Sequence, residues 1–228
     1  PEDFIGEVDG VVVDHRHPVE HLPAAMPLLE AKIPLFIDKP FCYRVEEGKA
    51  FLQRAKALGV PVTSFSVLPK QASFLDLKTR AESLGAISSV VTTGPCDIHS
   101  PYGGVFFYGI HQIDMLLRLT GYDMTEACVN KGAGENHMAT IRFSSGTVAA
   151  MNLIKSGSPA FHVSVIGESG RLDAEIVYDQ NNYLSGIQDF VNTFRTGEVS
   201  ETDDSIMGPV AVLQALEESV EQDGPVAV

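Results

Sequence analysis

The feature that most constrains this chain is an alternation near its start. Short, unbroken apolar runs take turns with stretches whose apolar residues recur at helical spacing. Val11, Val12 and Val13 form the first run. Leu35, Phe36 and Ile37, after Pro34, form the second, and residues 60–65 the third. Between them lie 19–32, with Leu22, Ala25, Met26 and Leu29 on one helical face, and 45–58, closed by Gly59. Runs with no polar alternation are those of strands buried on both faces, which is how parallel strands read. Parallel strands separated by helices require right-handed crossovers. Pro23 falls early enough in the first helix to be tolerated, while Pro27 is expected to kink it.

After Pro69 the texture changes. Phe74, Leu77, Ala81 and Leu84 align along a helix over 71–84, stopped by Gly85, and 87–93 reads as a strand. A helix is expected to begin near Gly109 and stop at Gly121, with Ile113, Leu116, Leu117 and Thr120 at helical spacing. From Glu126 the period falls to two. Ala139, Ile141 and Phe143, then Ala149, Met151 and Leu153, then Phe161, Val163 and Val165, and finally Leu172, Ala174 and Ile176 alternate with polar or small neighbours. That is an antiparallel meander with turns at 144–146 and 167–170. A helix carrying Leu184, Ile187, Phe190, Val191 and Phe194 ends at Gly197. A last helix is capped within Asp203-Asp204-Ser205, and a terminal strand follows Gly224-Pro225. The expected fold class is α/β: a partial Rossmann-type parallel sheet, followed by an α+β domain on an open antiparallel sheet.

Charge and cysteine usage narrow the partners. Sixteen basic against thirty acidic residues give a net charge of -14, which argues against nucleic acid and anionic membrane surfaces. Cys42, Cys96 and Cys128 are odd in number and form no CxxC pair, so a reducing, cytoplasmic setting is expected. No apolar run approaches the length of a membrane span, and no signal peptide is expected ahead of the first strand. The chain lacks an initiator Met and runs straight into a strand, so further residues are expected upstream of Pro1.

Several positions carry chemistry. Asp38-Lys39-Pro40 stands at the carboxyl end of a parallel strand, and open α/β sheets bind ligands outside those ends. Taken alone, it reads as a surface turn. His111 and Asp114 are three apart and share a helix face near its first turn; taken alone, that is a buried helix with one hydrogen-bonded histidine. His15, His17 and His21 surround Arg16 without a carboxylate or cysteine at zinc spacing, so a solvated strand-to-helix loop that lines the crevice is expected, and no metal. Gly167-Glu168-Ser169-Gly170 reads as a hairpin turn. No GxGxxG, GxxxxGK[ST] or GxSxG occurs.

Two stretches in this order and separation carry a family resemblance. Val11 to Val13, a loop with His21 and a helix to Lys32 lead into Ile33-Pro34-Leu35-Phe36-Ile37-Asp38-Lys39-Pro40; later come Gly103-Gly104, Gly109, His111 and Asp114. The chain resembles the glucose–fructose oxidoreductase / inositol dehydrogenase (Gfo/Idh/MocA) family over nearly its whole length from Val8. Asp38-Lys39-Pro40 takes the place of that family's Glu-Lys-Pro, and the second stretch that of its Gly-x-His-x-x-Asp signature.

The resemblance implies an NAD- or NADP-dependent oxidoreductase acting on a sugar, polyol or related alcohol by hydride transfer. It implies that 1–66 is the second half of a dinucleotide-binding Rossmann domain whose glycine-rich loop precedes this sequence. Residues 67–228 are then an α+β domain for substrate binding and oligomerisation. Lys39 and His111 are the implied catalytic pair, with His111 as acid/base. Asp38, Lys39, Pro40, His15 and His17 are implied on the cofactor side, and Tyr102, Phe107 and Tyr108 on the substrate side. The family has an Asp four residues before the histidine; Phe107 stands there instead. That substitution supports a second reading, a protein of the same shape that binds a ligand or assembles without catalysis.

Four expectations follow from that reading. Lys39 and His111 face one cavity, while Asp114 points away and holds the helix or a neighbouring loop. Substituting Lys39 or His111 changes thermal stability little. The chain as given binds NAD(P) weakly. The apolar residues of the antiparallel sheet cover both faces, one of them available for pairing with a second copy.

Overall fold

The computed structural model describes residues 2–228. β1 (Val11–Val13), β2 (Leu35–Ile37) and β3 (Val62–Thr63) form a parallel sheet in that order. β2, between the other two, is buried throughout, which its uninterrupted Leu-Phe-Ile requires. β3 is shorter than its apolar run, because Ser64 to Ser66 leave the ladder and Ser66 turns its N–H to a helix of the second sheet's layer.

The crossovers are α1 (His21–Glu30) and α2 (Val45–Leu58). The first starts later than its pattern predicts, because Pro18–Glu20 forms a 3-10 turn ahead of it. Pro27 stays inside α1. Gly59 ends α2 at φ 67, a left-handed conformation that costs glycine little.

The second layer begins with α3 (Ala72–Ala81), whose expected last turn is a separate 3-10 turn at Glu82–Leu84. β4 (Ile87–Pro95) and α4 (Phe106–Thr120) follow. α4 starts at Phe106, earlier than the expected Gly109: Gly103 and Gly104, both at positive φ, complete the turn that aims it. Next come β5 (Met124–Asn130), β6 (Asn136–Phe143), β7 (Val148–Ile154), β8 (Phe161–Gly167) and β9 (Gly170–Ile176). α5 (Leu184–Thr196), α6 (Asp203–Gln222) and β10 (Val226–Ala227) complete the chain. The N-cap of α6 is Thr202, in a reciprocal capping box with Ser205, and not one of the acidic pair after it.

The expected meander is interrupted. The sheet order is β10-β5-β6-β7-β4-β8-β9, with β4 parallel to β7 and antiparallel to β8. Two strand spacings are only about 10 Å, so the connection from Ile154 to Phe161 easily steps over β4. Alternation reports which face a residue takes and not which strand lies beside it, so the sequence could not reveal this insertion. Gly167 and Gly170 close the β8–β9 hairpin as expected.

The apolar residues that set the period-two pattern lie on one face of this sheet. Ala139, Ile141, Ala149, Met151, Leu153, Val163 and Val165 are all buried, in the core that α4 and α6 share with the sheet. The opposite face carries partly buried Val91, Thr93, Thr140, Ala150, Asn152 and Ser164, with Met138, Val148 and Ile166 exposed. The expectation of apolar residues enough for two covered faces is thus corrected: the period-two pattern is that of a sheet covered on one side.

Candidate active site

β2 delivers Asp38 to the end of the parallel sheet, where its N–H donates to the Val13 carbonyl at 2.7 Å. The Lys39 ammonium lies 3.9 Å from the Asp38 carboxylate, and the two side chains are 23% and 33% exposed. Burial raises the Asp38 carboxyl above the usual carboxylate range, and the Lys39 charge works against that.

His21 holds this corner from beneath. It is fully buried, with Nδ1 2.9 Å from the Pro40 carbonyl oxygen and Nε2 2.8 Å from that of His15. The ring ties the loop after β1 to the loop after β2. That corrects the expectation of a solvated loop at this position, which fits only its neighbours. Burial lowers the proton affinity of His21, while the two carbonyls and Asp38 act in the other direction. His17 accepts from the Val19 N–H at 3.2 Å and meets the Tyr43 ring edge-on at 4.9 Å. A Cβ on Gly103 would lie 3.5 Å from the His17 ring and 3.2 Å from that of Tyr43. Arg16 lies over the Tyr102 ring. The loop after β1 therefore does reach the turn that starts α4.

α4 supplies the other half. His111 is 6% exposed. Its Nδ1 is 2.8 Å from Ser66 Oγ, and its ring centroid is 5.6 Å from Tyr108 and 5.7 Å from Phe161. Burial first, and the nearby Lys39 charge second, hold its proton affinity well below that of an ordinary histidine. The Lys39 charge is felt at the ring, but no hydrogen bond joins the two side chains among the described residues. Tyr102, Phe107 and Tyr108 form a continuous aromatic run that reaches His111, with centroids 4.9 and 5.0 Å apart.

Asp114 points to the loop after β3, as expected. Its Oδ2 accepts from the Ser66 N–H at 3.1 Å, and its Oδ1 pairs with Arg118 Nε at 2.7 Å. Arg118 continues to Glu201 at 2.8 Å, and Glu201 to Lys70 at 3.4 Å; Lys70 also pairs with Asp189. This chain of alternating charge clamps the loop bearing Ser66 between α4, α5 and the start of α6.

Sequence reading missed Ser66. The signal that singled out Lys39, a polar residue just past a parallel strand, applies equally to Ser66 after β3. A chain separation of 45 residues from His111 hid the contact.

No protein-family model and no curated protein matches the sequence. Solved structures do match the fold. A probable dehydrogenase from Thermotoga maritima superposes with a TM-score of 0.85 at 18% identity, covering 100% of this chain and 83% of that one. A myo-inositol 2-dehydrogenase from Lactobacillus plantarum gives 0.85 at 17% identity, with 100% and 83% covered. A scyllo-inositol dehydrogenase from Lactobacillus casei, with bound NAD(H) and scyllo-inositol, gives 0.84 at 18%, with 99% and 82% covered. The chain therefore has the fold of these dehydrogenases. No helix among the described residues is long and apolar enough to cross a membrane.

Proposed function

We propose that this chain belongs to an NAD(P)-dependent oxidoreductase acting on a sugar, polyol or related alcohol. Lys39 and His111 are its reactive pair, and a division near residues 66 and 67 separates the cofactor side from the substrate side. The observation that supports this reading is the buried His111 ring of α4, beside Tyr108 and Phe161, in a fold whose parallel sheet carries Lys39 at the carboxyl end of β2. Hydride exchange at a carbinol carbon needs polar groups at the oxygen that gains or loses the proton. In this reading Lys39 and His111 meet that oxygen, and the Tyr102–Phe107–Tyr108 run supplies an aromatic wall beside it.

The donors present fit one end of a nicotinamide dinucleotide. Asp38, Lys39 and Pro40, with the His15 and His17 loop, border the crevice where the nicotinamide would lie. A pyrophosphate needs N–H groups at a helix start. In α1 a 3-10 turn and the buried His21 occupy that place, and in α2 the Val45 N–H already donates to Gln214 Oε1 at 2.9 Å. The diphosphate end is thus not served by either crossover helix. A bound cofactor would supply the hydride acceptor or donor; this chain supplies orientation and the polar groups at the substrate oxygen.

The sheet face bearing Thr140, Ala150 and Ser164 belongs to the same reading as the surface for pairing with a second copy, and a cytoplasmic setting is supported by three unpaired cysteines. A second reading, binding without turnover, is favoured by one observation: Phe107 stacks between Tyr102 and Tyr108 where a carboxylate would have partnered His111. Calorimetry and NMR saturation transfer with NADH test the first reading. The expected result is no saturable micromolar binding by the chain as given, and transfer to nicotinamide protons stronger than to adenine protons. Transfer confined to the adenine would contradict the placement at Lys39.

A further inference from the structure

Ser66 is 1% exposed, so the bonds its hydroxyl makes can be counted. A serine hydroxyl offers one donor and two acceptor positions. The Leu68 N–H donates to Ser66 Oγ at 3.3 Å, and the other contact is with His111 Nδ1 at 2.8 Å. If Nδ1 carried the proton, it would donate to Oγ, and the Ser66 O–H would need an acceptor elsewhere. Among the described residues none lies within hydrogen-bonding reach. Buried hydroxyl donors are rarely left unmade. With the O–H donating to a bare Nδ1, every group is satisfied.

We propose that Ser66 fixes His111 as the tautomer protonated at Nε2, so that the ring presents a hydrogen-bond donor and the site engages its ligand through an acceptor oxygen, the carbonyl of a ketone or aldehyde. Ser66 is a positioning residue in this scheme: it acts through His111. His111 Nε2 has no hydrogen-bond partner among the described residues, and it is not among the fully enclosed polar atoms that lack one. It is therefore the ring atom a ligand can meet. The ring is also held neutral, since burial and Lys39 keep its proton affinity low, and a neutral ring protonated at Nε2 has no lone pair there to act as a base. The ammonium of Lys39 likewise only donates. A carbonyl oxygen accepts from both. An alcohol brings a hydroxyl hydrogen for which neither residue offers an acceptor, and Phe107 stands where a carboxylate would have served. The inference rests on the oxidoreductase reading for the nature of the ligand, and on Ser66 alone for the tautomer.

The test is the nitrogen-15 NMR signature of the His111 imidazole at neutral pH. The expected pattern is a protonated Nε2 and a bare Nδ1. Protonation at Nδ1 alone, or at both nitrogens, would overturn the proposal. Ser66→Ala should let both tautomers populate, while Ser66→Thr should keep the Nε2–H form; an unchanged pattern in a folded Ser66→Ala would remove Ser66 from its role. If that variant does not fold, the wild-type and Ser66→Thr spectra still decide. Titration with myo-inositol and with its 2-keto form then addresses the ligand, and the keto compound should shift the His111 signals at the lower concentration. An equal or reversed response would overturn the carbonyl assignment. The expected tautomer with no response to either compound would overturn that assignment and the oxidoreductase reading together, leaving the tautomer standing.

Discussion

Replacing Arg118 with Met should cost more stability than any other single change near the site. Arg118 separates two carboxylates, at 2.7 Å from Asp114 and 2.8 Å from Glu201. The carboxylate side chains are each 4% exposed and that of Arg118 17%. Burial works against the Arg118 charge, but Asp114 and Glu201 more than offset it and raise its proton affinity further. Methionine fills much of the volume without the charge, so the loss is mainly that of two uncompensated buried anions. Removing one partner of a buried pair costs about 3–5 kcal/mol. Lys70 still neutralises part of Glu201, while Asp114 keeps only the Ser66 N–H. In a domain of this size that loss lowers Tm by roughly 6–20 °C.

The pH dependence gives the claim a second arm. Burial already holds the Asp114 carboxyl above its ordinary value with Arg118 present. Removing Arg118 raises it further. A carboxyl with folded proton affinity above its unfolded value stabilises the fold when protonated, and that contribution is lost as pH rises through the folded value. The deficit of Arg118→Met should therefore shrink as the pH is lowered through the raised Asp114 value. Urea unfolding at several pH values measures it, and Asp114→Asn in the same background should recover part of the loss. A deficit under about 1 kcal/mol, the range of an exposed pair, would refute the reasoning, as would a deficit that grows on acidification.

Three further outcomes are expected. His111→Ala should destabilise the fold by about 1–3 kcal/mol, because it strands the Ser66 hydroxyl, whereas Lys39→Ala at a partly exposed side chain should change the thermal midpoint little; equal midpoints for the two variants would contradict the buried placement of His111. Thr202→Ala removes a capping box and should cost about 0.5–2 kcal/mol by urea unfolding, with no change meaning that the cap is not formed. Sedimentation at micromolar concentration should show a species larger than the monomer, and Ala150→Arg on the open sheet face should shift it to monomer; a wild-type monomer would end the pairing proposal.

How much was legible in advance depended on whether the signal was local. β2 announced itself because a strand buried on both faces leaves an uninterrupted apolar run, β1 carries the same run although its Val12 is exposed, and Lys39 was singled out because the end of such a strand is a marked place. The His111–Asp114 spacing was local too. The opposite roles of those side chains, one toward Ser66 Oγ and the other toward the Ser66 N–H, were only half visible, since the loop after β3 comes from far along the chain. The insertion of β4 between β7 and β8 left no trace in periodicity. His21 looked like a loop residue because nothing in its neighbours says that two carbonyls from different loops converge on its ring. The charge chain from Asp114 to Asp189 was invisible for the same reason: each of its members is an ordinary surface residue type until four elements pack together.

The central claim is that Lys39 and His111 meet the reacting oxygen of a polyol or its keto form beside a nicotinamide. Its most direct test is the rate at which the complete natural protein oxidises or reduces nicotinamide cofactor with a panel of cyclic polyols, sugars and their keto forms. The same rates should be taken for Lys39→Ala and for a folded His111→Asn. The account expects turnover with at least one such compound, falling by about 100-fold or more in each variant. Turnover that survives unchanged in both variants would contradict it.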